Sequence, residues 1–156
     1  MGLSYLLKIQ QMKYLVFNPY WNIPRKIAVE DILPKVRRDP DYLTRHRIKV
    51  FENWRAGAKE VDPKTVNWLK VNRDTFHYKF RKEPGPHNDL GRIKFMFPNE
   101  FAVYLHDTPS RKLFQQSRRG FSSGCIRVEK PIELAQFLLA GNPPWSRQDI
   151  LKAIKS

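Results

Sequence analysis

An α+β fold, mainly β, is what this sequence predicts, and three observations predict it. Aromatic and β-branched runs with strand-like alternation occupy Lys13–Asn18, Arg92–Phe97 and Phe101–Leu105. Turn-forming residues separate them, above all in the run from Arg81 through Pro84, Gly85, Pro86 and Asn88 to Gly91. Helical patterning is confined to one early stretch and to the tail. At 156 residues the chain has room for one core and is short for two, so one domain is the default expectation.

The first strand, Lys13–Asn18, is stopped by Pro19, and Pro19–Pro24 reads as an irregular loop. From Ala28 to Arg38 the apolar positions Ile32, Leu33 and Val36 suit a short helix. Glu30 and Asp31 lie near its positive end and basic residues toward its negative end, and Pro34 must lie in its first turn or kink it. Between Asp39 and Arg73 the chain turns polar, basic and aromatic, with Trp54 and Trp68 among lysines and arginines. Two readings stand there: a platform on which single-stranded nucleic acid stacks, or a small accessory subdomain whose tryptophans fill its own core. The sequence contains no RNP-like, helix-turn-helix or zinc-finger pattern to support the first.

After the turn-rich run, Ile93, Phe95 and Phe97 fall on one strand face and Lys94 and Met96 on the other. Pro98-Asn99 then turns the chain into a second strand, Phe101–Leu105, which leaves His106 at its exit. In the tail, Pro131 at a first helical position, Ile132, Leu134, Ala135, Leu138 and a following Gly141 describe a capped amphipathic helix. Ser146 and Asp149 resemble a capping box ahead of Ile150, Leu151 and Ile154.

Lys and Arg number 29 against 15 Asp and Glu, a formal charge of +14. Such a surface attracts polyanions, and nucleic acid, anionic cell-wall polymer or an anionic membrane surface would each satisfy it. A single cysteine excludes an internal disulfide, a CxxC-type zinc site and a dithiol redox pair. His46, His77 and His87 have no ligand-like spacing, so no metal and no cofactor is expected. Asp39 and Asp41 read as turn and cap residues. The first ten residues carry no recognisable signal peptide, Leu6 argues against myristoylation, and no run approaches transmembrane length.

Candidate chemistry centres on that cysteine, Cys125, in Phe121-Ser122-Ser123-Gly124-Cys125-Ile126-Arg127, with His106 preceding it at a strand end. A cysteine attacks as thiolate and needs a base or cation beside it, and donors for the oxyanion. His106 is the candidate base, and the carboxylate or the backbone carbonyl of Asp107 could orient its ring. The N–H groups of Gly124 and Cys125 could face an oxyanion, and Arg127 would favour the thiolate. A lone cysteine is also commonly a buried small hydrophobe, and the residues alone leave both readings open. A serine triad through Ser122 or Ser123 lacks the Gly-x-Ser-x-Gly elbow.

Tyr104-Leu105-His106-Asp107-Thr108-Pro109 followed by Ser122-Ser123-Gly124-Cys125-Ile126-Arg127-Val128 resembles the active-site signature of L,D-transpeptidases with the YkuD fold. More narrowly, the chain is similar to the YcbB-like branch. Phe17–Pro24, Asp31–Lys35, Pro84-Gly85, Asn88, Leu90-Gly91, Lys94-Phe95 and Phe97-Pro98-Asn99 carry the likeness from about Met12 onward.

The resemblance implies a YkuD-like β-sandwich with a helical capping subdomain over 27–72, residues 1–11 being an unrelated extension and 12–156 a partial catalytic domain. It implies a cell-envelope enzyme that forms 3-3 cross-links between peptidoglycan stem peptides. Cys125 would be the nucleophile, His106 the base and Asp107 the residue whose backbone carbonyl steadies it, with Gly124 supplying an oxyanion donor. Tyr104, Ser123 and Arg127 would line the acyl site, and carbapenem β-lactams would acylate the thiol. Ser123 stands where the commoner family motif has a second histidine. Family members of this branch have an export signal or anchor, further N-terminal domains, early strands and a later C-terminal segment, so a fragment of a longer protein is expected. The competing expectations are an L,D-carboxypeptidase of the same fold and a non-catalytic basic binding protein.

Overall fold

The computed structural model of the chain describes residues 11–99, 103–118, 120 and 124–155. Strand β1 (Tyr14–Phe17) is followed by a short β2 (Trp21–Asn22). A helical stretch comes next, made of α1 (Arg25–Ile27), a π-helical turn (Ala28–Ile32) and α2 (Leu33–Arg38). Helix α3 (Tyr42–Arg45), strands β3 (Ile48–Phe51) and β4 (Glu60–Val61), a 3-10 turn (Pro63–Thr65) and β5 (Lys79–Lys82) complete the middle of the chain. Then come β6 (Ile93–Met96), β7 (Leu105–His106), a 3-10 turn (Arg111–Gln115), β8 (Ile126–Arg127), α4 (Pro131–Leu138) and α5 (Arg147–Lys155). The mixed α/β class read from the sequence is the one observed, with two four-stranded sheets. The chain divides into two compact units, Met1–Pro19 with Asp89–Ser156, and Tyr20–Asn88.

In the first unit the sheet order is β1-β6-β7-β8. β6 pairs antiparallel with β1, Leu15 opposite Phe95 and Phe17 opposite Ile93, and antiparallel with β7, Lys94 opposite His106. Alternation therefore turns Leu15, Phe17, Ile93, Phe95 and Leu105 to one face. There they meet Ala135, Ile132 and Leu138 of α4 and Ile150 and Ile154 of α5. Ile93, Phe95, Ala135 and Ile150 are fully buried, each of the larger ones contributing about 1.5–3 kcal/mol on transfer from water. β7 and β8 are parallel, a pairing that needs a long crossover, and the segment between His106 and Ile126 supplies it.

Both tail helices form, but α4 ends at Leu138 with Leu139 at its C-cap, two residues before the Gly141 that the sequence offers as its cap. Pro131 occupies the first turn of α4. Ser146 caps α5 reciprocally: its N–H donates to Asp149 Oδ2 at 2.9 Å, and the Asp149 N–H donates to Ser146 Oγ at 3.2 Å. The other end of α5 is held by Asn18, at a left-handed φ of 47°, whose side chain donates to the Ile154 carbonyl at 2.9 Å.

The second unit carries the sheet β2-β5-β3-β4. Its core joins Ile23, Ala28, Ile32, Leu33, Val36, Leu43, Ile48, Val50, Trp68 and Phe80. The helical stretch begins at Arg25, earlier than Ala28, and Pro34 sits in the first turn of α2 directly after the π-helical turn, where the helical hydrogen-bond pattern changes. Two strands differ from the sequence reading. Residues 19–24 contain β2 because Trp21 and Asn22 pair with Lys82 and Arg81, and β5 overlaps what reads as the start of a loop. The tryptophans part company. Trp68 is core, its indole N–H donating to the Pro63 carbonyl at 2.8 Å, whereas Trp54, in the β3–β4 connection, is half-exposed with the Lys79 ammonium 5.7 Å from its ring centroid. Asp39 and Asp41 lie in the turn that leads into α3, but the Asp41 side chain makes no capping hydrogen bond, its carboxylate lying 3.2 Å from Lys64 Nζ. The Asp39 carboxylate accepts the Asp41 N–H at 3.2 Å, and Asp41 stands at the N-cap position. His46 and His77 are held by neighbouring carbonyls, those of Tyr42 at 2.8 Å and Thr75 at 2.9 Å.

The second strand expected over 101–105 lies partly outside the described residues, and the ladder that is described takes in Leu105 and His106. Among the described residues no helix is long and apolar enough to cross a membrane.

Candidate active site

The sheet face opposite the helical core collects the residues singled out in the sequence. His106 is level with Lys94 on one neighbour and with Arg127 on the other, so the three side chains share that face. The Ile126 N–H donates to the Tyr104 carbonyl at 3.1 Å and the Val128 N–H to the His106 carbonyl at 2.8 Å. Continuing this parallel register by one residue sets Cys125 beside Tyr104, and period-two alternation puts both on the His106 side. The fold thus brings a cysteine and a histidine distant in sequence to adjacent strands and one face. Ser123 lies outside the described residues.

His106 is buried, and its Nδ1 is 2.5 Å from the backbone carbonyl of Asp107. A carbonyl can only accept, so Nδ1 carries the proton and Nε2 is left with the lone pair that a base requires. Burial holds the imidazole below its ordinary pKa. The Asp107 carbonyl opposes that shift, and Arg127 reinforces it. The ring is therefore neutral at neutral pH, with the Tyr104 ring 5.9 Å away between centroids in an edge-on arrangement.

Of the two ways in which Asp107 could orient His106, the carbonyl does so and the carboxylate does something else. One carboxylate oxygen accepts the Arg92 N–H at 2.8 Å, and the other pairs with Arg111 at 2.6 Å. Arg111 also donates to the Glu129 carbonyl at 2.5 Å. Its guanidinium therefore joins the residue after β7 to the segment after β8, tying together the exits of the two strands that carry His106 and Cys125. Gly91 makes room for this: a Cβ there would lie 2.4 Å from the Asp107 carboxyl carbon, and φ is +62°.

Gly124 has φ +138°, a conformation open to glycine and strained for any other residue, although a Cβ would meet nothing. The backbone path into Cys125 thus dictates that glycine. Cys125 itself is half-buried. Sequence reasoning did not single out Lys94 or Arg111 for a role at this site. The Lys94 ammonium lies 3.8 Å from the Tyr104 ring centroid, and burial lowers its pKa. Its place was legible as the polar side of β6, whereas nothing local in the sequence marks Arg111, which acts only through the crossover. Among the described residues there is no group of three or more His, Cys, Asp or Glu that could hold a metal ion.

The sequence pattern of the YkuD family, described as the L,D-transpeptidase catalytic domain, matches residues 9–144. A Haemophilus influenzae protein named "Putative L,D-transpeptidase" is 41% identical over 129 residues, which is 83% of this chain and 25% of that protein. The chain thus spans a quarter of the length of that relative. With the family pattern running from before β1 to beyond α4, and both halves of the signature meeting on one sheet face, the chain belongs to the YkuD family of L,D-transpeptidase catalytic domains.

Proposed function

We propose that Cys125 is the nucleophile and His106 the base of a transpeptidase that builds 3-3 cross-links between peptidoglycan stem peptides in the cell envelope. The observation that carries this reading is the parallel β7/β8 register, with the His106 Nδ1 proton engaged by the Asp107 carbonyl.

In the proposed reaction His106 Nε2 takes the thiol proton as sulfur attacks the carbonyl joining the third and fourth residues of a tetrapeptide stem. The N–H groups of Gly124 and Cys125 receive the oxyanion. Collapse breaks the peptide C–N bond, the imidazolium returns its proton to the departing D-alanine amine, and a thioester remains. An amine of a neighbouring stem then attacks the thioester and yields a proton to His106, which restores the thiol as the new peptide bond forms. Tyr104, Ser123 and Arg127 line the acyl-binding site, and residues 27–72 are the family's capping insertion. The formal charge of +14 suits a polyanionic wall.

Incubation with a disaccharide-tetrapeptide, read by chromatography and mass spectrometry, tests this. Cross-linked dimer with loss of D-alanine is expected, and no product from Cys125→Ala. Conversion to free tripeptide alone would instead make water the acceptor and the enzyme a carboxypeptidase.

A further inference from the structure

We propose that the Lys94 ammonium is the counter-ion of the Cys125 thiolate, acting across the Tyr104 ring. Lys94 sits on the central strand β6, level with His106. Its side chain reaches diagonally over β7, placing Nζ 3.8 Å from the Tyr104 ring centroid. Tyr104 is the residue whose carbonyl anchors the start of β8, so the ammonium stands over the strand position adjoining Cys125. The ring face supplies a cation–π contact that holds the ammonium there. Lys94 is half-buried, and the β6–β7–β8 register sets it on the same sheet face as Cys125, one on either side of the strand that carries Tyr104 and His106.

The other titratable and charged groups on this face, among the described residues, are Tyr14 on β1, Tyr104 and His106 at β7, and Arg127 on β8. Asp89 and Asp107 act on His106 through their charge, and the Arg92 guanidinium is held by Asn18 Oδ1 at 3.1 Å. Arg127 stands level with His106 and lowers its pKa, so it favours the neutral base. The two cations thus divide the work, Lys94 on sulfur and Arg127 on imidazole. Lys94 thus eases the transfer of the thiol proton to His106 Nε2 by stabilising the thiolate that the transfer produces.

This inference rests on the reading of Cys125 as the nucleophile, and its test does not use turnover. The rate of Cys125 alkylation by iodoacetamide is measured against pH in the folded protein, with Cys125→Ala as the blank. In Lys94→Gln the rate profile moves to higher pH by about one unit, and alkylation near pH 7 slows about tenfold. Lys94→Arg keeps the wild-type profile. Circular dichroism confirms folding of each variant, and Lys94→Met replaces Lys94→Gln if the latter does not fold. Should neither neutral variant fold, the salt dependence of wild-type alkylation decides: slowing with added salt supports the pair, and a flat response overturns it. An unchanged profile in a folded neutral variant overturns the proposal, as does a Lys94→Arg profile displaced as far as that of Lys94→Gln, which would make the role one of packing. Loss of transpeptidation with these alkylation results intact would overturn the functional reading and leave the ion pair standing.

Discussion

At the scale of single residues, the site depends on what happens immediately after His106. The Asp107 carbonyl fixes the imidazole tautomer, while its carboxylate, 5% exposed as a residue, is spent on Arg92 and Arg111. Gly91→Ala would drive a methyl group into that carboxylate at a positive φ, so it should cost about 1–3 kcal/mol of stability in denaturant unfolding and reduce turnover by displacing Asp107. A Gly91→Ala protein as stable as wild type would mean that Asp107 does not need its present position.

His106 also makes a pH prediction. Its pKa is lowered in the folded state relative to about 6.5 in the unfolded chain, so the unfolded chain binds the extra proton first. The contribution of neutral His106 to stability is therefore complete above about pH 6.5 and is lost as pH falls from there through the folded-state value. His106→Gln should flatten the decline in unfolding free energy between about pH 7.5 and pH 5, measured by denaturant titration.

At the scale of elements, two strands of two residues each carry the candidate chemistry, and such short pairs hold position only because their other face is packed. Leu105 lies over the α4–α5 layer, and Ile150 of α5 is fully buried beneath the sheet. Ile150→Ala should destabilise the protein by about 2–5 kcal/mol in thermal or denaturant unfolding, and should lower activity before global unfolding is reached. The legibility of the elements follows the same physics. β1, β6, α4 and α5 could be read because alternation, a first-turn proline and a capping box are local signals. β2 and β5 could not, since Trp21 and Asn22 become a strand only by pairing with Arg81 and Lys82, about sixty residues away.

At the scale of the whole molecule, the sequence signature named Cys125, His106, Asp107, Gly124, Tyr104 and Arg127, and the described residues among them gather on or beside two adjoining strands. What no local pattern could supply was the connectivity between them: the Arg111 guanidinium reaching from Asp107 to Glu129, and Lys94 arriving from the strand on the far side of His106. The basic, tryptophan-containing segment also resolved only in three dimensions. Trp68 belongs to a core, while Lys79 and Arg81 lie over Phe51 on the sheet of the Tyr20–Asn88 unit.

Intact-protein mass spectrometry after exposure to a carbapenem tests the central claim, an activated thiol at Cys125, most directly. The expected result is one covalent adduct on the folded wild-type chain, slowed by about a hundredfold or more in His106→Ala and absent from Cys125→Ala. A folded wild-type protein that takes up no adduct, or an adduct that persists in Cys125→Ala, would contradict it.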